Sequence, residues 1–577
     1  METKTVKRLP YGTSNFGKLI SENYAYVDKT QFLEQLENEV NPYQFFIRPR
    51  KFGKSLFFSL LEHYYDINRA KDFNKLFGEL YIGKHPTPQN NSYLVLNFDF
   101  SGLDTSTAEG FQRSFVRKIR TAVQRFLLEH KSVIKSSELD KERQNVFDPD
   151  KDLGMNTSLE VAYMTAAEAG MKIFVIIDEY DHFANDLIAM GSQLGKDVYH
   201  NMVHANGLVR DFYEALKTGT KTVIDRIFIT GISPVMLDDL TSGFNIAVNL
   251  TLEPKYNEMM GFTQQEVEAL MHETGVDPNF INVDMKMYYD GYLFHKNGEQ
   301  RVYNPSMILY FFYQILTSQK APENIIDDNL KTDYNRLRRM VQNEENRNTL
   351  IEIVQNNGIM SDVISKFSID RLEDTKYFIS LLFYMGLLTV DRYHDGRLYL
   401  KIPNYSIRTV YWEYLEQLTL EWNKDVMIDL RQQTDAVWQL AYPGNLHPYI
   451  EYVSKNIFSR LSNRDLQQFD EKYIKIMLLN GLFQSKLYVP RTEKEVENGY
   501  IDIFLQRSPL LPDIKYEWVW ELKYLKKDDR KALQSARDDA RAQLDKYRNS
   551  REFAERTDVR FASVIFIGKD KFEAEER

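Results

Sequence analysis

The chain has no cysteine, no apolar run long enough to cross a bilayer, and no excess of basic residues. The first absence excludes a disulfide framework, a thiolate zinc site and an iron–sulfur cluster. It accords with a reducing cytoplasm, where the protein is expected to reside. The longest apolar runs, such as FISLLFYMGLL at 378–388, fall short of the ~20 residues a membrane helix needs. The opening METKTVKRLPYGTSNF lacks the apolar segment of a secretory signal. No membrane partner is therefore expected. The formal net charge of −10 speaks against a generally basic nucleic-acid binder, although a local basic groove is all that binding requires. The ten histidines include no H-E-x-x-H spacing. Internal repeats and low-complexity tracts are also missing.

What is present is ample material for cores. Of 577 residues, 43% are hydrophobic and 27% charged, with 36 Tyr and 36 Phe. That length implies about two to four domains. From 43 to about 250 apolar strands alternate with helical patterns: YQFFI (43–47), YLVLNFDF (93–100), KIFVIIDEYD (172–181) and RIFITGISP (226–234). This rhythm predicts a parallel sheet with helices on both faces. From 251 to 430 shorter helices precede LLTVDRYHDGRLYLKIP (387–403), which reads as strand, turn, strand and suggests a winged-helix-like connector. From 431 to 577 a helical start gives way to GYIDIFLQ, YEWVWELKYL, a charged helix and FASVIFIG, a separate α/β unit. The expected domains are thus 1–250, 251–430 and 431–577.

The sequence RPRKFGKS at 48–55 ends as a phosphate-binding loop should. Such a loop aims backbone N–H groups and a helix N-terminus at phosphate oxygens. Gly53 permits close approach, Lys54 suits the β and γ phosphates, and Ser55 suits Mg²⁺. Arg48 stands where the usual pattern has its first glycine; Pro49 would fix a turn, and Arg48, Arg50 and Lys51 would add charge to the cradle around Phe52. The strand IFVIID ends in Asp178-Glu179, the order in which an aspartate holds Mg²⁺ and a glutamate orients the attacking water. RIFITGISP could supply a sensor hydroxyl from Thr230 or Ser233. No arginine finger stands out, and His182 reads as a loop residue.

LPYGTSNFGKLISENYAYVDKTQFLEQL (9–36) followed by RPRKFGKSL resembles the opening of the bacterial AAA-ATPase-like family, whose loop runs R-P-R-R-F-G-K-S. Arg48 is ordinary in that pattern, and Lys51 is a departure that keeps the charge. VYNPSMILYFF (302–312) and LKIPNYSIR (400–408) resemble the family's middle region. The resemblance implies ATP binding and leaves the substrate open.

At the other end, Asp502 lies inside the apolar strand GYIDIF, and Glu521 and Lys523 lie two apart in EWVWELKYL. Residues two apart on a strand share a face. If the two strands pair, Asp502 reaches the same edge. Two carboxylates and a lysine can hold Mg²⁺ at a scissile phosphate and position water there. This D…E-x-K layout is that of restriction-endonuclease-like nucleases. Gln543 and Tyr547, four apart on the next helix, make the run resemble the RecB-like branch of the PD-(D/E)XK nucleases, which implies that they help hold substrate. TEKEVENGYIDIFL (492–505) also matches that domain's entry pattern. A further acid on a preceding helix is expected, with Glu451 and Glu471 both open. Lys526, Lys527 and Arg530 are candidates for a phosphate track.

The reading is an α/β multidomain enzyme: a P-loop ATPase, a connector and a nuclease-like domain that uses ATP and Mg²⁺. It would cleave nucleic acid, DNA before RNA, as a homo-oligomer, with a role in defence or mobile-element control by analogy. The alternative is an ATP-dependent switch or scaffold whose C-terminal domain binds nucleic acid or protein without cutting.

Overall fold

The computed structural model describes residues 6–577 apart from 152, 191–192, 204–206, 241–243, 323, 328–342, 423–427, 461–470, 498, 512, 527–528 and 569–570. The chain divides into two compact units, one made of residues up to Ile353 with Asn357–Tyr405, the other of Val354–Asn356 with Ser406–Arg577.

The first unit is built on a parallel sheet. Its strands are β1 (Tyr43–Ile47), β2 (Leu94–Asp99), β3 (Ile173–Asp178), β4 (Ile224–Gly231) and the short β5 (Val248–Asn249), in the order β2-β3-β4-β1-β5. All the pairings are parallel. Parallel strands need crossovers, and crossover helices cover both faces. That is why β3 can be apolar up to its closing Asp178 and wholly buried. The helices α1 (Lys54–Tyr65), α2 (Ala108–Glu129) and α3 (His182–Met190) follow β1, β2 and β3. On α2 the stripe Phe111, Phe115, Ile119, Val123 and Phe126 is buried, as its spacing predicts.

The same unit carries a small sheet of β6 (Gly358–Met360), β7 (Thr389–His394) and β8 (Arg397–Lys401), in the order β6-β8-β7. The β7–β8 hairpin turns at Asp395 and Gly396, both with positive φ (52° and 75°), as a tight two-residue turn requires.

The second unit has a mixed sheet of β9 (Tyr488–Val496), β10 (Gly499–Arg507), β11 (Glu517–Leu525), β12 (Val559–Ile567) and β13 (Lys571–Glu576), ordered β13-β12-β11-β10-β9. Helix α4 (Glu471–Gln484) precedes the sheet, and α5 (Arg530–Arg548) makes the crossover between the parallel β11 and β12. Phe504 and Val519 on one face pack with Leu544 and Tyr547 of α5 and with Phe553 and Phe561. On β11 the alternate residues Trp518 and Trp520 are fully buried; the Trp518 indole donates to Leu440 O, and Trp520 lies 6.1 Å from the Tyr449 ring. Among the described residues no helix is long and apolar enough to cross a membrane.

Candidate functional sites

A cavity of about 730 Å³ opens at the carboxyl ends of β1 and β3, the edge where open α/β sheets take ligands. Arg50, Gly53, Lys54, Ser55, Asp178 and Glu179 form its polar end. Gly53 begins α1 with φ 94°, a conformation that disfavours any side chain. The Lys54 ammonium is buried and donates to Arg48 O and Pro49 O, both at 3.0 Å. Two interactions hold the loop from outside: Asn304 Nδ2 donates to Arg50 O, and the Ser306 hydroxyl donates to Lys51 O.

The acids face this loop with opposite electrostatic character. Burial and the neighbouring Glu179 push the Asp178 carboxyl up to about 6, against the pull of Lys54 and of a hydrogen bond from Ser55. Burial opposes ionisation of Glu179 as well, but a hydrogen bond with His182 and the charges of Lys54 and Arg50 prevail and hold it at about 2. Glu179 also sits at φ 55°, a left-handed conformation that costs a non-glycine residue about 1 kcal/mol or more. His182, read from sequence as a loop residue, starts α3 and lines the cavity. Its ring contacts Glu179 at 3.3 Å and Asp186 at 3.5 Å, and the Glu179 bond raises its pKa.

Three expectations for the loop do not match this placement. Arg48 does not face the cavity. Its guanidinium is 1% exposed, lies over the rings of Phe46 and Phe294, and donates to the carbonyls of Ile47, Thr251 and Tyr256. It neutralises carbonyl dipoles in the core and adds no charge to the cradle. Pro49 contributes its carbonyl to Lys54 and is not a wall of the cavity. Thr230 spends its hydroxyl on Phe46 O at 2.8 Å, across the β1–β4 pair, so it is not free to sense a phosphate. Ser233 likewise bonds Asp181 and Asn185. Lys51 and Phe52 line the cavity as expected.

The other end of the cavity is apolar, formed by Leu19, Ala25, Val27, Met259, Met260 and Phe262. These residues come from two segments far apart in sequence, and no local pattern marks them. Between the two ends Lys29 pairs with both oxygens of Glu266 at 2.6 and 2.7 Å. A polar end built of amides and cations beside an apolar slot suits a nucleoside triphosphate with its Mg²⁺: Ser55 and Asp178 would hold the metal.

In the second unit β10 and β11 are antiparallel, with Ile503 opposite Trp520. The backbone pairing ends there, and Asp502, the residue before Ile503, reaches β11 through its side chain at Leu522, next to Glu521. Asp502 Oδ2 accepts from the Leu522 amide at 2.9 Å, and its Oδ1 meets the Lys475 ammonium at 3.2 Å. Lys523 donates to Glu521 Oε1 at 2.8 Å. The Tyr547 hydroxyl donates to Tyr500 O at 2.6 Å and lies 3.3 Å from Glu521 Oε2. Burial and the charge of Asp502 push Glu521 up to about 7, against the pull of Lys523. Two carboxylates that repel each other in a half-dry site are what a divalent cation relieves, so the residues fit Mg²⁺. Among the described residues no third acid completes a ligand set. Mg²⁺ characteristically keeps one or two carboxylates and takes its other ligands from water and phosphate.

Of the remaining expectations, Gln543 is half-buried one turn before Tyr547 on α5. Glu451 is on the surface, paired with Lys455. Glu471 begins α4, and its charge helps raise the pKa of Lys523, although burial and Glu521 act on that ammonium more strongly. Lys526 and Arg530 flank the start of α5, and Lys527 lies outside the described residues. Lys475 was missed altogether: it follows Glu471 by one helical turn, and no motif includes it.

The first unit thus carries a cavity closed by the Gly53-Lys54-Ser55 turn, and the second an acid pair beside a lysine. Residues 10–241 match the family model described as Predicted AAA-ATPase, and residues 469–576 match the PD-(D/E)XK nuclease superfamily. The chain therefore joins an AAA-ATPase-like domain to a PD-(D/E)XK nuclease superfamily domain. An uncharacterized protein in the vnfD 5′ region of Azotobacter chroococcum mcd 1 is 25% identical over 307 residues, covering 53% of this chain and 52% of that one. The chain thus spans about half the length of the curated relative it matches. Among solved structures, Cdc6p from Pyrobaculum aerophilum is 10% identical with a TM-score of 0.25, covering 72% of this chain and 97% of that one. The Aeropyrum pernix ORC1 protein, solved in complex with DNA, is 8% identical at a TM-score of 0.27, covering 70% of this chain and 98% of its own. The Aeropyrum pernix ORC2 protein is 10% identical at 0.31, with coverage of 70% and 98%. Likenesses this loose bear on neither substrate nor partner.

Proposed function

We propose that the protein binds and hydrolyses ATP in its first unit and cleaves nucleic acid, DNA before RNA, at a Mg²⁺ site in its second. Three functional modules, 1–250, 251–430 and 431–577, would act together in the cytoplasm as a homo-oligomer. A role in defence or mobile-element control is supported by the pairing of domains alone.

In the first unit Lys54, Arg50 and the amides opening α1 would bind the phosphates. Glu179 is ionised and anchored by His182, so it can accept a hydrogen bond from an attacking water and aim it at the γ-phosphate. In the second, Mg²⁺ would polarise the scissile phosphate and lower the pKa of a bound water. Asp502 and Glu521 would hold the metal, Lys523 would orient the water and offset charge on the phosphate, and Tyr547 would fix Glu521. Gln543 would contact the substrate strand.

The observation that carries the nuclease reading is that the Asp502 carboxylate accepts from the Leu522 amide beside Glu521, with Lys523 2.8 Å from the Glu521 carboxylate. The test is digestion of single- and double-stranded DNA and RNA with Mg²⁺, with and without ATP, comparing the wild type with Lys523→Ala and Lys54→Ala. Metal-dependent cleavage lost in Lys523→Ala is the expected result. Cleavage indifferent to that substitution removes the nuclease assignment and leaves the non-cutting switch.

A further inference from the structure

A second groove, of about 810 Å³, lies beside the nucleotide cavity, and Asp99 at the end of β2 walls both. Its long side is helix α2. Arg113, Arg117, Lys118 and Arg125 line it. Arg113, Arg117 and Arg125 are exposed, and Lys118 is half-buried. Among the described residues Arg117 and Lys118 form no ion pair, Arg113 makes no direct one although its charge helps lower the pKa of Asp104 after that residue's bonds to Ser106, and Arg125 has only a loose one with Glu129 at 3.9 Å. The contrast with Arg120 on the same helix is informative. Arg120 turns inward and donates to the carbonyls of Val146, Lys151 and Asp148. One arginine of α2 is therefore spent on the fold, while four cations are left facing a groove in a protein whose net charge is −10.

An independent feature marks the floor. Asn97 is 6% exposed and lines the groove, and its Oδ1 has no hydrogen-bond partner. A buried unpaired carbonyl costs about 1–3 kcal/mol, and this one is sealed from solvent, so a turn of the Asn97 side chain toward the groove would let a ligand donor satisfy it. Asp99 and Asp104 sit at the same end. The groove thus has a cationic flank and an acceptor-rich floor. That is the complement of a sugar–phosphate chain, with anionic phosphates on one side and hydroxyl or amino donors on the other. Residues 113 to 125 of a helix span about 18 Å, more than one nucleotide can neutralise.

We propose that this groove binds a single-stranded segment of nucleic acid along α2, so that the ATPase unit has its own strand site next to its nucleotide. The proposal does not depend on cleavage by the second unit. Arg113, Arg117, Lys118 and Arg125 take phosphates, and Asn97 accepts a hydrogen bond from sugar or base.

The test is fluorescence anisotropy of the full chain with a labelled oligothymidine of about 12 nucleotides, within the usual single-strand site size. EDTA is present to prevent cutting. Four neutralised phosphates contribute a slope of about −2.8 to the plot of log affinity against log salt. Arg113→Ser combined with Arg117→Ser is expected to flatten that slope by about 1.4 and to weaken binding at least tenfold at low salt, with ATP turnover and melting temperature unchanged. Asn97→Leu, which leaves the charge alone, is expected to weaken binding about fivefold at unchanged slope. Unchanged affinity and slope in the double variant overturn the proposal. So does binding that survives it but is lost in Lys523→Ala, which would place the strand on the second unit alone. Displacement of the oligomer by equimolar thymidine monophosphate would overturn it too, since the groove would then hold a free nucleotide.

Discussion

The two candidate sites are built in opposite ways. The nucleotide site gathers its polar end from one continuous loop after β1 and the residues that end β3, two strands away in the sheet. Its main tools are backbone amides, whose direction is fixed once the chain turns at Gly53. The carboxylate site uses side chains from β10, β11, α4 and α5, and it exists only because the pairing of β10 with β11 brings the Asp502 carboxylate to the Leu522 amide beside Glu521. A loop of amides tolerates sequence drift, such as arginine in place of the first glycine, because the amides belong to every residue. A constellation of side chains tolerates none at its ionic positions, and a one-residue slip of register would turn Asp502 to the other face.

The sharpest way to separate the sites is to remove one lysine from each. Lys523→Ala should lower metal-dependent cleavage by on the order of 10²–10⁴-fold, measured by gel or fluorescence digestion, while ATP turnover stays within about a factor of two of wild type. Lys54→Ala should lower ATP turnover by on the order of 10²–10³-fold in a phosphate-release assay, because the buried cation that would leave the Arg48 and Pro49 carbonyls for the phosphates is lost. Its effect on Mg²⁺ binding by the second unit should be nil. Arg48→Ala tests the fold beneath the loop. It leaves three carbonyls and two aromatic faces without their partner, and should destabilise the first unit by about 3 kcal/mol in a denaturant titration. The smallest effect expected is that of Tyr547→Phe, which loses the bond to Tyr500 O and the approach to Glu521. It should cost about 1 kcal/mol of stability and slow cleavage about tenfold or less.

Much of the architecture was legible because the strands that build it are the apolar ones. YQFFI, IFVIID and RIFIT could be read as buried parallel strands, and EWVWELKYL as a strand with two faces. The edge strands were not legible. β9 is YVPRTEKEV, with a proline and charges, and β13 is KFEAEE; both lie at the rims of the second sheet, where charge discourages further pairing and hides the strand signal. At the sites, contiguity decided what could be read. Gly53, Lys54 and Ser55 stand together in the chain and together in space. Arg48 stood with them in sequence but turned into the core, because its neighbours in three dimensions are Phe46, Phe294 and three carbonyls supplied partly from residues 251 and 256. Lys475 and the apolar slot of Met259, Met260 and Phe262 reach their sites only through tertiary packing, and composition gives no hint of them.

The central claim is that Asp502 and Glu521 share one divalent cation. It is tested most directly by isothermal titration of Mn²⁺ into the full-length chain without nucleotide, in a Lys54→Ala background, comparing it with the same protein carrying Asp502→Asn or Glu521→Gln. One binding event that disappears with either substitution, at a retained melting temperature, is expected. Mn²⁺ binding that persists unchanged in both variants would contradict it.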